Sequence, residues 1–208
     1  MADIELIKNA CKPQGYWGKK MIESMNEHHF DVTSWGLSHV KFKNDSVILD
    51  IGCGGGKTVE RLSDLSPNGR VYGLDYSELC VEESKKLCKK LIEENRVQID
   101  CGSVSQMPYS DNTFDSITAV ETFYFWPDPV NDLKEVRRVL KENGELLLVF
   151  ESCYDENEPD KWDEFVKAID LKVPHRDVLE GQLKEAGFKS VKTYIHENGC
   201  WLCAVAVK

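Results

Sequence analysis

Residues 50–58 read DIGCGGGKT and follow the short apolar run Val47-Ile48-Leu49. A glycine-rich turn after a strand can bring backbone amides against an anionic or zwitterionic ligand. Three ligand chemistries compete for it. A triphosphate loop needs G-x-x-x-x-G-K-[ST]. Gly56-Lys57-Thr58 supplies its end, but Ile51 stands where its first glycine belongs. The dinucleotide fingerprint G-x-G-x-x-G fails at Lys57 when begun at Gly52, and at Val59 when begun at Gly54. It thereby lacks the glycine that allows close helix–strand packing. The third pattern is D-x-G-x-G-x-G, met by Asp50, Gly52, Gly54 and Gly56. Here a strand ends in a carboxylate that can attract an ammonium group. The helix that follows offers free amides and a positive dipole end to a carboxylate. This arrangement suits a small zwitterion. Lys57 and Thr58 then become first-turn helix residues rather than phosphate and magnesium ligands.

The elements needed to position that loop are readable from periodicity. Residues 46–50 and 70–75 form the first two strands, and 55–65 forms a helix between them. Residues 77–95 read as one helix capped by Ser77, and 97–101 and 114–120 as strands three and four. Asp128 and Pro129 open a further helix as N-cap and first-turn residue. Gly144 begins strand five, GELLLVFE, and a helix spans about 175–186. Residues 188–197 and 199–207 read as two strands joined tightly around Asn198-Gly199, a hairpin signal. Alternating helices and apolar strands predict an α/β fold with a mostly parallel, doubly wound sheet of seven strands. The C-terminal hairpin contributes its one antiparallel strand. Residues 1–45 are expected to form a helical N-terminal cap, with helices near 17–27 and from Thr33. Residues 46–208 are expected to form the ligand-binding domain. Residues 152–174 read as an insertion that could serve as a lid, although its acidic run DENEPDKWDE also fits a solvated face.

The glycine loop and the segments after it resemble the class I S-adenosylmethionine-dependent methyltransferases, of the small bacterial, type 11-like kind. The resemblance also rests on Asp75 in VYGLD, on GSVSQMPYSDNTFDSITAV (102–120), on AVETFYFWPD (119–128), on LKEVRRVLKENGELLLV (133–149) and on LKEAGF (183–188). It covers about residues 46–208. It implies a Rossmann-like fold, S-adenosylmethionine as cofactor and S-adenosylhomocysteine as product. Asp50, Gly52, Cys53, Gly54 and Gly56 would hold the methionyl end. Asp75, 23 residues after Gly52, would grip the ribose hydroxyls, and Tyr76 would pack on adenine. The family usually places an aspartate at the adenine amine. This chain has Ser103 there, so adenine contact falls to Ser103 and Val104. Asp100 lies nearby but within the strand and out of register. Glu121 takes the position that touches the cofactor beside its sulfonium.

The segment before the first strand, in small enzymes of this kind, folds over the cofactor and shapes the acceptor pocket. Tyr16, Trp17, His28, His29 and Trp35 are its candidates, with packing of the cap and surface exposure as their plainer roles. Tyr16, His28, Glu121 and Tyr124 are the candidate catalytic residues. Methyl transfer from a sulfonium is an in-line displacement, and a general base is needed only where the acceptor carries a proton.

Composition narrows the acceptor. Of the 208 residues, 41% are apolar and 30% charged, enough for a folded core. The net charge of -10 argues against broad binding to nucleic acid. No apolar run approaches the roughly 20 residues that span a bilayer. The N-terminal MADIELIKNACKPQGYWGKK lacks the features of a secretory signal. A cytoplasmic monomer or homodimer with a small-molecule acceptor is expected, with no membrane and no nucleic-acid partner. Protein or RNA methylation and a non-catalytic cofactor-binding module are the alternatives. Eight cysteines read as free thiols. Their number brings arsenite methylation to mind, but no arrangement of them compels it. Cys200 and Cys203 fall within a predicted strand on opposite faces and make no metal site, and none is expected elsewhere.

Overall fold

The computed structural model describes residues 6–154, 156–158 and 160–208, leaving aside the side chains of residues 163 and 165. The first five residues of the expected cap, and residues 155 and 159 of the acidic run, lie outside this set. Seven strands form one sheet in the order β3-β2-β1-β4-β5-β7-β6. They are β1 (Val47–Ile51), β2 (Arg70–Asp75), β3 (Val97–Cys101), β4 (Phe114–Val120), β5 (Leu140–Phe150), β6 (Ser190–Ile195) and β7 (Leu202–Val207). β1 pairs in parallel with β2 and β4, and β4 with β5. β7 runs antiparallel to both β5 and β6, so it is the strand of opposite sense.

Both sheet faces are covered, and the two-residue period of the strands shows which residues serve each. Leu49, Leu146, Leu148 and Phe150 point to one face, packed with Leu133 and Val136 of α6 (Pro129–Val139) and Leu179 and Leu183 of α8 (Arg176–Glu185). Ile48, Leu147 and Val149 point to the other. There they meet Val32 of α2 (Phe30–Leu37), Val59 and Leu62 of α3 (Lys57–Leu65) and Val81 of α4 (Glu78–Leu87). Further α-helices among the described residues are α1 (Gly15–His28), α5 (Lys89–Glu93) and α7 (Asp163–Ile169). Among the described residues, no helix is long and apolar enough to cross a membrane.

Four boundaries differ from the sequence reading. The second cap helix begins at Phe30, not Thr33. The Thr33 hydroxyl donates back to His29 O at 2.6 Å, so it serves the helix interior rather than the cap. The helix after β2 breaks at Cys88, which leaves helical geometry with ψ at 11°. β5 starts at Leu140, four residues before Gly144, because Leu140 pairs with Phe114 ahead of a register shift. The C-terminal strands are not joined tightly. The Asn198 side chain accepts from the amides of Cys200 at 3.0 Å and Trp201 at 3.2 Å, holding 196–201 as a loop. Cys200 therefore lies in the loop, outside the strand that holds Cys203.

α3 carries the amides that follow the glycine turn, and Leu62 seats it in the core with no exposure. Leu62→Ala should cost about 2–5 kcal/mol, read as a lower urea midpoint with an unchanged slope.

Candidate functional site

The sheet order reverses direction between β1 and β4, and open α/β sheets bind ligands at such a point, beyond the carboxyl ends of the strands. The glycine loop leaves β1 there. Gly52, Gly54 and Gly56 all adopt positive φ, at 69°, 52° and 84°. At Gly52 a side chain is also sterically barred, since a Cβ would lie 2.2 Å from Thr122 Oγ1. At Gly54 the same direction is open space. Gly56 ends the turn as N-cap of α3, with no side chain capping the helix. Its first amides are left for a ligand.

Asp75 ends β2 and ties the loop to it. Its Oδ2 accepts from Gly54 N at 2.9 Å and its Oδ1 from Ser77 N at 2.8 Å. Ser84 of α4 holds Gly54 from the other side, donating to its carbonyl at 2.6 Å. Burial raises the Asp75 pKa, partly offset by these amides. Asp50 lies behind the turn, 2% exposed, and accepts from Thr118 Oγ1 at 2.6 Å. Burial, and then the nearby Asp75, push its pKa to about 7 against the Thr118 bond. Cys53 is buried, and its thiol pKa is driven up by burial and by the same two acids.

Three cavities meet at Phe125 beside this loop. One of about 100 Å³ lies over Gly52 to Gly55 and reaches Asp75, Tyr76 and Glu121. A second, of about 250 Å³, continues from Asp75 and Tyr76 to Gly102, Ser103 and Val104. A third, of about 300 Å³, extends from His29 and Glu121 past Met21, Met25 and Tyr124 to Ile169 and Leu171. Phe125 lines all three.

Glu121 stands where the first and third meet. It has φ at 56°, a conformation that costs a non-glycine residue about 1–3 kcal/mol. The position is held by its amide, which donates to Val149 O at 3.0 Å, and by its carboxylate. Oε1 accepts from Glu151 N, and Oε2 from the Tyr124 hydroxyl at 3.2 Å. Desolvation, and then the Glu151 charge, raise its pKa to about 8 against these bonds. Tyr124 is buried and its phenol pKa is pushed far up, so it acts as a neutral donor. His28 Nε2 lies 3.2 Å from Glu151 Oε1, and His29 Nε2 lies 3.7 Å from Oε2. Burial, with His28 nearby, lowers the His29 pKa to about 4 and keeps it neutral.

The structure thus brings Gly52, Cys53, Gly54, Asp75, Tyr76, Ser103, Val104, Glu121, Tyr124 and His28 to the walls of these cavities. Asp50 and Gly56 lie behind or beside the loop, in none of the three linings. Tyr16 is 67% exposed, packs edge-on against Trp17 and lines none of the three cavities. Its helical position turns it outward, which aromatic type alone does not reveal. Trp35 packs with His39, His196 and Trp201 at the β6–β7 loop instead. Asp100 is engaged by Tyr109 at 3.0 Å and Gln98 at 2.9 Å and lines none of the three cavities, whereas Ser103 lines the second. Glu151, Ser152 and Trp162 line the third cavity and escape the sequence reading. An acid just past the carboxyl end of β5 is the signal that could have found Glu151.

Residues 49–148 match the family model described as a methyltransferase domain. The chain is 33% identical over 144 residues to cycloartenol-C-24-methyltransferase 1 of Oryza sativa subsp. japonica, covering 68% of this chain and 40% of the relative. It is 33% identical over 118 residues to demethylmenaquinone methyltransferase of Bacillus mycoides, covering 56% and 47%. The chain therefore spans less than half the length of these two curated relatives. A SAM-dependent methyltransferase from Aquifex aeolicus superposes with a TM-score of 0.74 at 21% identity, over 90% of this chain and 97% of that one. At that identity the superposition speaks for the fold.

The raised pKa of Asp50 has a signed consequence. Between its ordinary value near 3.8 and about 7, the folded chain holds a proton that the unfolded chain has released. Stability from neutral Asp50 is therefore lost as pH rises through that window. Asp50→Asn stays neutral throughout. The ligand-free Tm of the native chain, relative to Asp50→Asn, should fall from pH 4 to pH 7. A flat difference would remove the buried-proton assignment.

Proposed function

We propose that this chain, which belongs to the class I S-adenosylmethionine-dependent methyltransferases, transfers the sulfonium methyl of that cofactor to a small-molecule acceptor. The observation that carries the reading is the shared wall at Glu121. A glycine-lined space of mixed polarity and a mainly apolar one meet at that residue. An extended cofactor with its nucleoside beside Asp75 and Ser103, and its methionyl end over Gly52 to Gly55, would turn its methyl toward that wall.

The residues present fit such a group. Each Asp75 oxygen already takes one amide, and a carboxylate has further lone pairs for two ribose hydroxyls. The free amides at the start of α3 suit the methionyl carboxylate. Buried acids with raised pKa suit a ligand that brings an ammonium and a sulfonium. The bound cofactor supplies a methyl already activated by positive charge on sulfur. The protein's work is to align the acceptor and exclude water. Phe125, which lines all three cavities, walls the junction, and α1 and residues 162–171 enclose the acceptor space.

Asp75→Ala should weaken S-adenosylhomocysteine binding by roughly 10- to 100-fold, the worth of one or two hydrogen bonds to a charged group. Calorimetry on a variant with native circular dichroism tests this, and unchanged affinity would sink the ribose assignment. To test the acceptor class, the chain is incubated with methyl-labelled cofactor and a cell extract. Label should collect in the alcohol-soluble small molecules. Label confined to precipitated protein or RNA would overturn the small-acceptor reading.

A further inference from the structure

The third cavity has an apolar body and one acidic end. Met21, Met25, Phe125, Ile169 and Leu171 form much of its wall. At the end nearest the glycine loop, His29, Glu121 and Glu151 each present one donor atom, all within 4.8 Å of one another. Two carboxylates so close repel unless a positive charge or a shared proton separates them. Among the described residues, no Lys or Arg lines this cavity.

The groups that do face the pair supply no fixed cation. Glu121 is met by the Glu151 amide and the Tyr124 hydroxyl, both neutral donors. Glu151 is met by two imidazoles. His29 is kept neutral by its burial, and His28, which lines the cavity against Glu151, is mostly exposed and screened by solvent. An anionic acceptor would add negative charge beside Glu151. A neutral hydroxyl would leave the pair relieved only by a proton held on Glu121, with no charge pairing gained. A cationic nitrogen would relieve the repulsion and donate hydrogen bonds to both.

Building on the methyl-transfer reading, we infer that the acceptor is an amine-bearing small molecule whose apolar body fills the third cavity and whose nitrogen sits between Glu121 and Glu151. This placement puts the nitrogen at the junction with the cofactor space, where the methyl would arrive. The chemistry balances. The bound ammonium passes one proton to a Glu121 oxygen, freeing the nitrogen lone pair. That pair forms the new nitrogen–carbon bond as the carbon–sulfur bond breaks, its electrons leaving on sulfur. The products are an N-methylammonium, a neutral thioether and a protonated Glu121. Glu151 holds the charge of the nitrogen before and after transfer. Tyr124 positions Glu121 and itself stays protonated.

The test uses the full chain saturated with S-adenosylhomocysteine and a matched panel: 2-phenylethylamine, 2-phenylethanol and 3-phenylpropionate. Binding is measured by calorimetry, and methyl transfer from labelled cofactor is followed in parallel. The amine should bind at least tenfold more tightly than the alcohol or the acid. Glu151→Gln should weaken amine binding about tenfold and leave the alcohol unaffected, with S-adenosylhomocysteine binding as the check that it folds. Glu121→Gln should weaken the amine similarly. An amine that binds no better than the alcohol, or does not bind, overturns the inference. So does amine binding that is lost in EDTA, because the three side chains would then hold a divalent cation. Amine binding without label transfer would sink the methyl-transfer reading and leave the amine assignment standing. Label transfer to the alcohol without amine preference would do the reverse.

Discussion

The hydrogen bond from Gly54 N to Asp75 Oδ2, 2.9 Å long, joins the two strand ends on which the site is built. It pins the glycine turn after β1 to the carboxylate that ends β2. The turn can approach because Gly52 and Gly54 accept positive φ, and because nothing but glycine fits against Thr122 at Gly52. Ser84 fixes the carbonyl of the same Gly54 from α4, and Cys88 places its thiol 3.7 Å from Gly56 O. The loop is thus held from the sheet and from the neighbouring helix before any ligand arrives. Preorganised binding groups lose little on association, which is how a small loop can hold a small ligand tightly.

The same geometry imposes a cost. Asp50, Asp75, Glu121 and Glu151 all sit at or just beyond the carboxyl ends of neighbouring strands, and burial raises the pKa of each. Without ligand, burial makes negative charge costly at this end of the sheet. A ligand carrying positive centres offsets that cost with a direct electrostatic partner. The acidic character that argues against nucleic acid across the whole chain is therefore also local, concentrated where a sulfonium and its acceptor would meet. Glu121 links the two halves of this arrangement, since its strained backbone turns the carboxylate to face the glycine space and the apolar cavity at once.

Much of this is legible in the sequence where local chemistry decides it. RVYGLD and VQIDC are strands at the bounds their patterns set, and Asp128-Pro129 opens α6, with the Asp128 carboxylate accepting from Asn131 N at 3.3 Å. The glycine spacing and Asp75 are readable because strand, turn and helix follow one another along the chain. What the sequence hides is set by tertiary pairing. Glu151 ends an apolar run like any strand-end acid, and only the β4–β5 ladder brings it to Glu121. His29 sits in the turn between α1 and α2, where docking of the cap decides that it faces inward while Tyr16, on the same cap, faces out. The C-terminal hairpin forms as its sequence predicts, but its turn is longer than the tight one expected at Asn198-Gly199, for a local reason. The Asn198 side chain satisfies two amides locally and so keeps them out of the ladder.

Everything in the proposed chemistry depends on the Asp75-clamped glycine loop being the seat of the cofactor, with Glu121 at its reactive end. A crystal structure of the chain with S-adenosylhomocysteine tests it most directly. Ribose hydroxyls should lie within hydrogen-bond distance of Asp75, the methionyl carboxylate at the first amides of α3, adenine against Ser103 and Val104, and sulfur facing Glu121. A nucleoside bound away from Asp75, or a sulfur turned from the apolar cavity, would contradict it.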